Sequence, residues 1–189
     1  ALNIILGGFE KLENRYSTYA RLLLEKAYNI AKDSKGTIKL KILEKLVDIY
    51  SLKGETEKGD AYLEDYQKEA GRLSDFKHII KGMSITVDNY YRKGQNHLAF
   101  KYIEDIEKIS TENHIIEGNI IALSLRARIG ISNGELKETE ELLYKAISLS
   151  ETYEIKAYLG TIYNRLGLIK ALSGNIKEAI ENYEKSILY

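Results

Sequence analysis

Histidine, cysteine and clustered carboxylates most often carry acid–base, nucleophilic or metal chemistry. In this 189-residue chain they are absent or scattered. His78, His97 and His114 stand at irregular spacing. None belongs to an HExxH or His-x-x-x-His pair, the arrangement that sets two imidazoles one helical turn apart. They read as solvated or helix-cap residues. There is no cysteine, which excludes disulfides and thiolate zinc sites. "SKGT", residues 34–37, lacks the upstream glycine of a phosphate loop and reads as a turn between helices. Glu138, Glu140 and Glu141 carry charge enough for a metal ion, but they read as a solvated helix face. No Gly-x-Ser-x-Gly elbow occurs, and nothing assembles a nucleophile, a base and an oxyanion donor. The expectation is a chain that is not an enzyme and needs neither metal nor cofactor.

Composition narrows the class further. Hydrophobic residues make up 44% and charged residues 30%, the mixture of a folded domain rather than a disordered segment. The 28 basic and 28 acidic side chains cancel, so no general attraction to nucleic acid or anionic membrane is expected. No apolar run approaches the roughly 18 residues of a transmembrane helix. The opening "ALNIILGGF" is too short to span and lacks the basic flank of a signal peptide; it reads as a helix cut by a boundary. The absence of cysteine fits a reducing compartment, and a cytoplasmic location is the expectation.

The elements that must position these side chains repeat. Gly54, Gly94, Gly134 and Gly174 each stand 40 residues after the last, and one further step back reaches Asn14. Nine residues after each of these come Leu23, Leu63, Ile103, Leu143 and Tyr183. Apolar residues recur at three- and four-residue spacing on both sides of each glycine, as in Leu159, Tyr163 and Leu166, then Ile176, Ala179, Ile180, Tyr183 and Ile187. Each period therefore holds two amphipathic helices, with the glycine where one ends and the chain reverses. Helices are expected over 1–12, 16–33, 37–52, 56–72, 76–92, 96–111, 115–132, 136–151, 155–172 and 176–188.

This pattern resembles the tetratricopeptide repeat (TPR). Counting Gly160 as position 1, the last unit matches the family at Tyr163, Leu166, Gly167, Ala179, Tyr183 and Ser186. Tyr50 and Tyr90 supply the position-11 tyrosine that Lys170 replaces there. Earlier units match more weakly, through Leu123, Ala127, Leu143 and Ala146, and through Met83, Tyr90, Ala99 and Ile103. The unit departs from the usual 34 residues by being 40 long and free of proline. Val47 and Val87 stand where Ala127 and Gly167 stand elsewhere, so those helix pairs are expected to pack further apart. The resemblance implies an all-α fold, a right-handed superhelical α-α solenoid of antiparallel helix pairs. It would form a single repeat domain over 1–189: a partial unit 1–35, then units of about 36–75, 76–115, 116–155 and 156–189. Long-helix arrays of this kind are similar to those of bacterial regulators, and the expectation is a piece of a longer protein. Ends without a polar capping helix would also offer surfaces for self-association.

The resemblance also implies where a partner sits. The first helix of each pair would line a concave groove through family positions 2, 5, 9, 12 and 13. These include Glu44, Asp48, Ser51 and Leu52, then Ser84, Asp88, Tyr91 and Arg92, then Ser124, Arg128 and Ser132, then Asn164, Leu168 and Leu172. The family's carboxylate clamp for chaperone tails places Lys or Arg and Asn at positions 5 and 9. Glu44 with Asp48, and Ser84 with Asp88, put anions or hydroxyls there instead, which argues against an acidic chaperone tail. The expected groove is acidic near Glu44, Asp48 and Asp88 and basic near Arg92 and Arg128. Tyr91 lies between and would take an apolar side chain of an extended peptide. The expected function is a non-catalytic protein- or peptide-binding scaffold in a larger bacterial regulatory protein. The alternative is a domain sensing a ligand or signal peptide and coupled to a DNA-binding, ATPase or kinase domain; a third is a structural spacer.

Overall fold

A computed structural model of the chain describes residues 18–34, 36–53 and 56–189, with side chains throughout except at 18, 51–53 and 56. The described residues are α-helical with no strand. In chain order the helices are α1 (Thr18–Ala31), α2 (Thr37–Lys53), α3 (Thr56–Leu73), α4 (Phe76–Arg92) and α5 (Asn96–Glu112). They continue with α6 (Ile116–Asn133), α7 (Leu136–Thr152), α8 (Leu159–Leu172) and α9 (Ile176–Leu188). Each lies within two residues of its expected span, apart from the start of α8. There, residues 156–158 wind as a 3₁₀ turn (Lys156–Tyr158) before the α-helix begins, so the helix expected from 155 starts later. The expected helix over 1–12, with Asn14 and Gly54, lies outside the described residues, as do the side chains of Ser51 and Leu52.

The turns explain the forty-residue period. Gly94, Gly134 and Gly174 adopt left-handed φ values of 71°, 79° and 79°. After α6, the Gly134 N–H donates to the Ile131 carbonyl at 3.1 Å, and the Glu135 N–H donates back to the Gly130 carbonyl at 2.9 Å. This is the Schellman pattern, which satisfies carbonyls that the helix leaves unpaired. Gln95 to Tyr90 and Asn175 to Lys170 repeat it at 2.9 and 2.8 Å. A second set of turns, between one pair of helices and the next, uses the same geometry without glycine. Ser74, His114 and Glu154, again 40 residues apart, hold φ values of 52°, 55° and 55°. The following N–H groups of Asp75, Ile115 and Ile155 reach back to Ala70, Ser110 and Ser150 at 3.1, 2.8 and 2.8 Å. A Cβ disfavours this conformation, so these turns carry strain that the glycine turns do not.

The chain forms two compact units, residues 1–82 and 83–189, with the boundary inside α4. In the first unit, Ala20, Leu24, Ala27 and Ala31 of α1 meet Ile42, Leu46, Ile49 and Tyr50 of α2 in one core, with Tyr28 and Tyr62 at its edge. Alanine on one wall is what allows a tyrosine from the other to settle inside. The buried carboxylate of Glu69 on α3 accepts hydrogen bonds from the Gly36 N–H at 3.2 Å and from Arg72 Nε at 3.1 Å. The Gly36 bond ties the entry to α2 onto α3, while Arg72, on α3 itself, holds the carboxylate in place.

In the second unit, Ile120, Leu123 and Ala127 of α6, Leu143, Ala146 and Ile147 of α7, and Leu159, Ile162, Tyr163, Leu166 and Ile169 of α8 share a core. Two glycines mark close approach. A Cβ on Gly167 would lie 2.7 Å from the Tyr183 ring, and one on Gly130 would lie 2.2 Å from Thr139 Oγ1. Glu140 is not merely part of a solvated face: Lys170 bridges it at 2.6 Å and Glu178 at 2.9 Å, linking α7, α8 and α9. Lys170 therefore gives the position of the missing tyrosine an ionic role.

Candidate functional site

In the second unit, the first helices of successive pairs lie side by side in register. Four side-chain contacts show this. Asp88 of α4 pairs with Arg128 of α6, and the Tyr91 hydroxyl meets the Ser132 hydroxyl. Tyr158 donates to Glu117 at 2.7 Å, and Arg165 of α8 donates to Ser124 of α6. Their sequence separations are 40, 41, 41 and 41. Partners that advance together along both helices require a parallel arrangement. The constant offset, one repeat or one repeat plus a residue, makes the same face of each helix contribute to one surface.

Several expected groove residues are on this surface. Asp88, Tyr91, Ser124 and Arg128 come together with Arg165. The Arg128 guanidinium does two things at once: it pairs with Asp88 and lies over the Tyr91 ring, 4.5 Å from its centroid. A planar guanidinium suits both contacts, since its edge forms the hydrogen bonds while its face stacks. Tyr91 therefore holds Arg128 through its ring and Ser132 through its hydroxyl. Arg92, at the end of α4, is exposed and donates to Asn89 at 2.6 Å. Asn164 is exposed on α8, and Ser84 is partly buried on α4. Glu44 and Asp48 belong to the first unit. There Lys81 pairs with Glu44 at 2.5 Å, and Asp48 is exposed.

Arg165 was not among the expected groove residues; it stands one position beyond Asn164. With partners at an offset of 41 rather than 40, Ser124 meets residue 165 and not 164. No reading of single positions reveals that extra step. Burial pushes the Arg165 guanidinium down to about 10, and the neighbouring Arg128 charge adds to the effect, while Asp88 and Tyr91 oppose it. Ser124, itself buried, is a neutral acceptor. Three residues further along α8 lies Leu168, 39% exposed, and four beyond that lies Leu172, 57% exposed. All three project from one side of the helix.

The other candidate side chains resolve as local structure. His78 is at the N-terminal turn of α4, where its backbone N–H donates to Asp75 at 3.2 Å and its imidazole pairs with the same carboxylate. His114 is the left-handed turn residue already described, and His97 is exposed at the start of α5. Among the described residues no three His, Asp or Glu side chains gather as a group that would hold a metal ion. No helix among them is long and apolar enough to cross a membrane.

The architecture has solved counterparts. The chain is similar to the nearly identical TPR-like repeats of a Podosopora anserina protein assigned as a kinesin light chain, with a TM-score of 0.60 and 17% identity for a point variant. That comparison covers 99% of this chain and 91% of the other. A second crystal structure of those repeats gives 0.59 and 17%, over 99% and 92%. No family model and no curated protein matches the chain. The fold of the described residues is thus TPR-like.

Proposed function

We propose that the chain is a non-catalytic scaffold that binds a protein or peptide segment along the face shared by α4, α6 and α8. The observation that carries this reading is the ladder of contacts at 40- and 41-residue offsets. It assembles one continuous surface from equivalent positions, and that surface mixes paired charges with the exposed Leu168 and Leu172. Extended peptides bind well to such faces because apolar side chains supply burial while fixed polar groups set register. The TPR-like neighbours support a scaffold role at the level of fold. The 40-residue unit, similar to the long-helix arrays of bacterial regulators, supports a place within a larger regulatory protein.

The test is selection of displayed random peptides on the full chain, followed by amide NMR titration with the enriched sequences. Shifts are expected at Ser132, Arg165, Leu168 and Leu172. Leu172→Asp should abolish binding while leaving the melting temperature nearly unchanged, because that side chain is exposed. Enrichment of no peptide, or shifts confined to α5, α7 and α9, would refute the reading.

A further inference from the structure

Two of the arginines on the second unit, Arg126 and Arg128, and the half-buried Lys170 are matched to carboxylates, whereas Arg165 is not. Arg126 makes a two-bond fork to Glu107 at 2.7 and 2.8 Å. Arg128 has Asp88, and Lys170 has both Glu140 and Glu178. Arg165 is partly buried, and its hydrogen-bond partner among the described residues is the neutral hydroxyl of Ser124. A desolvated guanidinium is costly unless an anion and further acceptors compensate for lost water. Of the nearby charges, Arg128 deepens the deficit and Asp88, already paired with Arg128, offsets it only in part. Arg165 and Arg128 bring two positive charges against the single negative charge of Asp88, leaving the cluster at net +1. A guanidinium has five donors in a fixed fork, and one serine oxygen satisfies only a fraction of them. The arrangement is prepared for a carboxylate that the chain itself does not supply.

We propose that Arg165, flanked by Arg128 and Ser124, is a subsite for a side-chain carboxylate of the bound peptide, and that Leu168 and Leu172 take an apolar side chain following it. This deepens the scaffold reading and rests on it. Spacing along α8 sets the ligand pattern. Leu172 lies seven residues beyond Arg165, about 10 Å along the helix axis. A peptide in the polyproline-II conformation covers that distance in about three residues, at roughly 3.1 Å each, and with three residues per turn returns its side chain to the same face. The sequence recognised is therefore an acidic residue, two residues of any kind, and a large apolar residue. Where the family's clamp takes its cation from positions 5 and 9, this site takes Arg165 from position 6 and sets it through the 41-residue offset beside Ser124 and Arg128, positions 5 and 9 of the preceding unit.

The probe is the capped tetrapeptide Glu-Ala-Ala-Leu, titrated into the uniformly labelled full chain with the Arg Nε–Hε signals monitored. The Arg165 signal should move on saturation. Replacing the probe's Glu with Gln should weaken binding at least tenfold, and so should Arg165→Gln in the protein. Replacing its Leu with Ser should weaken binding several-fold without removing the Arg165 shift. Equal binding of the Glu and Gln probes, or no binding of either, would overturn the proposal; the Gln-probe comparison decides even if Arg165→Gln unfolds. A phosphoserine probe that binds where the Glu probe does not would also overturn it, assigning the site to phosphoryl groups instead. Display-selected peptides that map to α4, α6 and α8 yet bind the Arg165→Gln variant equally well would remove the subsite and leave the scaffold reading standing.

Discussion

Replacing Gly167 with alanine adds one methyl group where the Tyr183 ring already lies. The new Cβ would stand 2.7 Å from Cδ1 and Cε1 and 3.0 Å from Cγ, against an ordinary carbon–carbon contact of about 3.5–4.0 Å. Two effects oppose each other. Alanine is better than glycine within a helix by about 0.8–1.0 kcal/mol. Overpacking a close contact costs about 1–3 kcal/mol, and here a whole aromatic ring must retreat by roughly 1 Å. The second effect should win, for a net loss of about 1 kcal/mol. The chain contains its own remedy one unit earlier, where Ala127 and Leu143 occupy the equivalent positions in a single core. Tyr183→Leu in the Gly167→Ala background should therefore recover part of the loss, with a coupling of about 1 kcal/mol in a double-mutant cycle. Urea unfolding followed by circular dichroism gives each midpoint. Gly71→Ala is the control, because nothing lies within 4 Å of its added methyl group; it should stabilise by up to about 1 kcal/mol. If Gly167→Ala stabilises as much as Gly71→Ala, the close approach of α8 and α9 plays no part and the reasoning fails.

The two classes of turn should answer oppositely to glycine and alanine. His114→Gly should raise stability by about 0.5–1 kcal/mol by removing left-handed strain, while Gly134→Ala should lower it by about 1–2 kcal/mol. Thermal melts of both variants check this, and a destabilised His114→Gly would contradict it. Glu69→Gln should cost about 1 kcal/mol at neutral pH, because the Glu69 carboxylate accepts charge-assisted hydrogen bonds from the Gly36 N–H at the entry to α2 and from Arg72 of its own helix. The hydrogen bonds from Arg72 hold the Glu69 carboxyl below its ordinary value. A depressed native value means the stabilisation is present above the unfolded carboxyl's pKa and is lost as pH falls through the native one. The gap between wild type and variant should thus close in acid, and a gap constant with pH would refute the assignment.

Much of this fold was legible in the chain because it is written locally. The glycines at 94, 134 and 174 mark the reversals, and the apolar spacing on either side defines two helices per unit; these depend on residues within a few turns of each other. The turns at Ser74, His114 and Glu154 were less visible, since the same backbone geometry occurs there without the residue that usually announces it. The start of α8 differed for a similar reason, because apolar periodicity does not distinguish a 3₁₀ turn from an α-helical one.

The site shows where sequence stops and tertiary structure begins. The forty-residue period placed Asp88 and Arg128 at equivalent positions of neighbouring units, and the family resemblance implied that Tyr91 and Ser124 face the same groove as they do. Whether Asp88 and Arg128 would remain separate, each available to a partner, or pair with one another was decided by the rotation and sliding of one helix against the next. A shift of a single residue, about 1.5 Å, turned the 40-residue period into a 41-residue contact and brought Arg165 to Ser124 in place of Asn164. Repetition in a sequence specifies which residues are equivalent. Only packing specifies which of them touch, because the offset between stacked helices is set by the bulk of side chains on all their faces together.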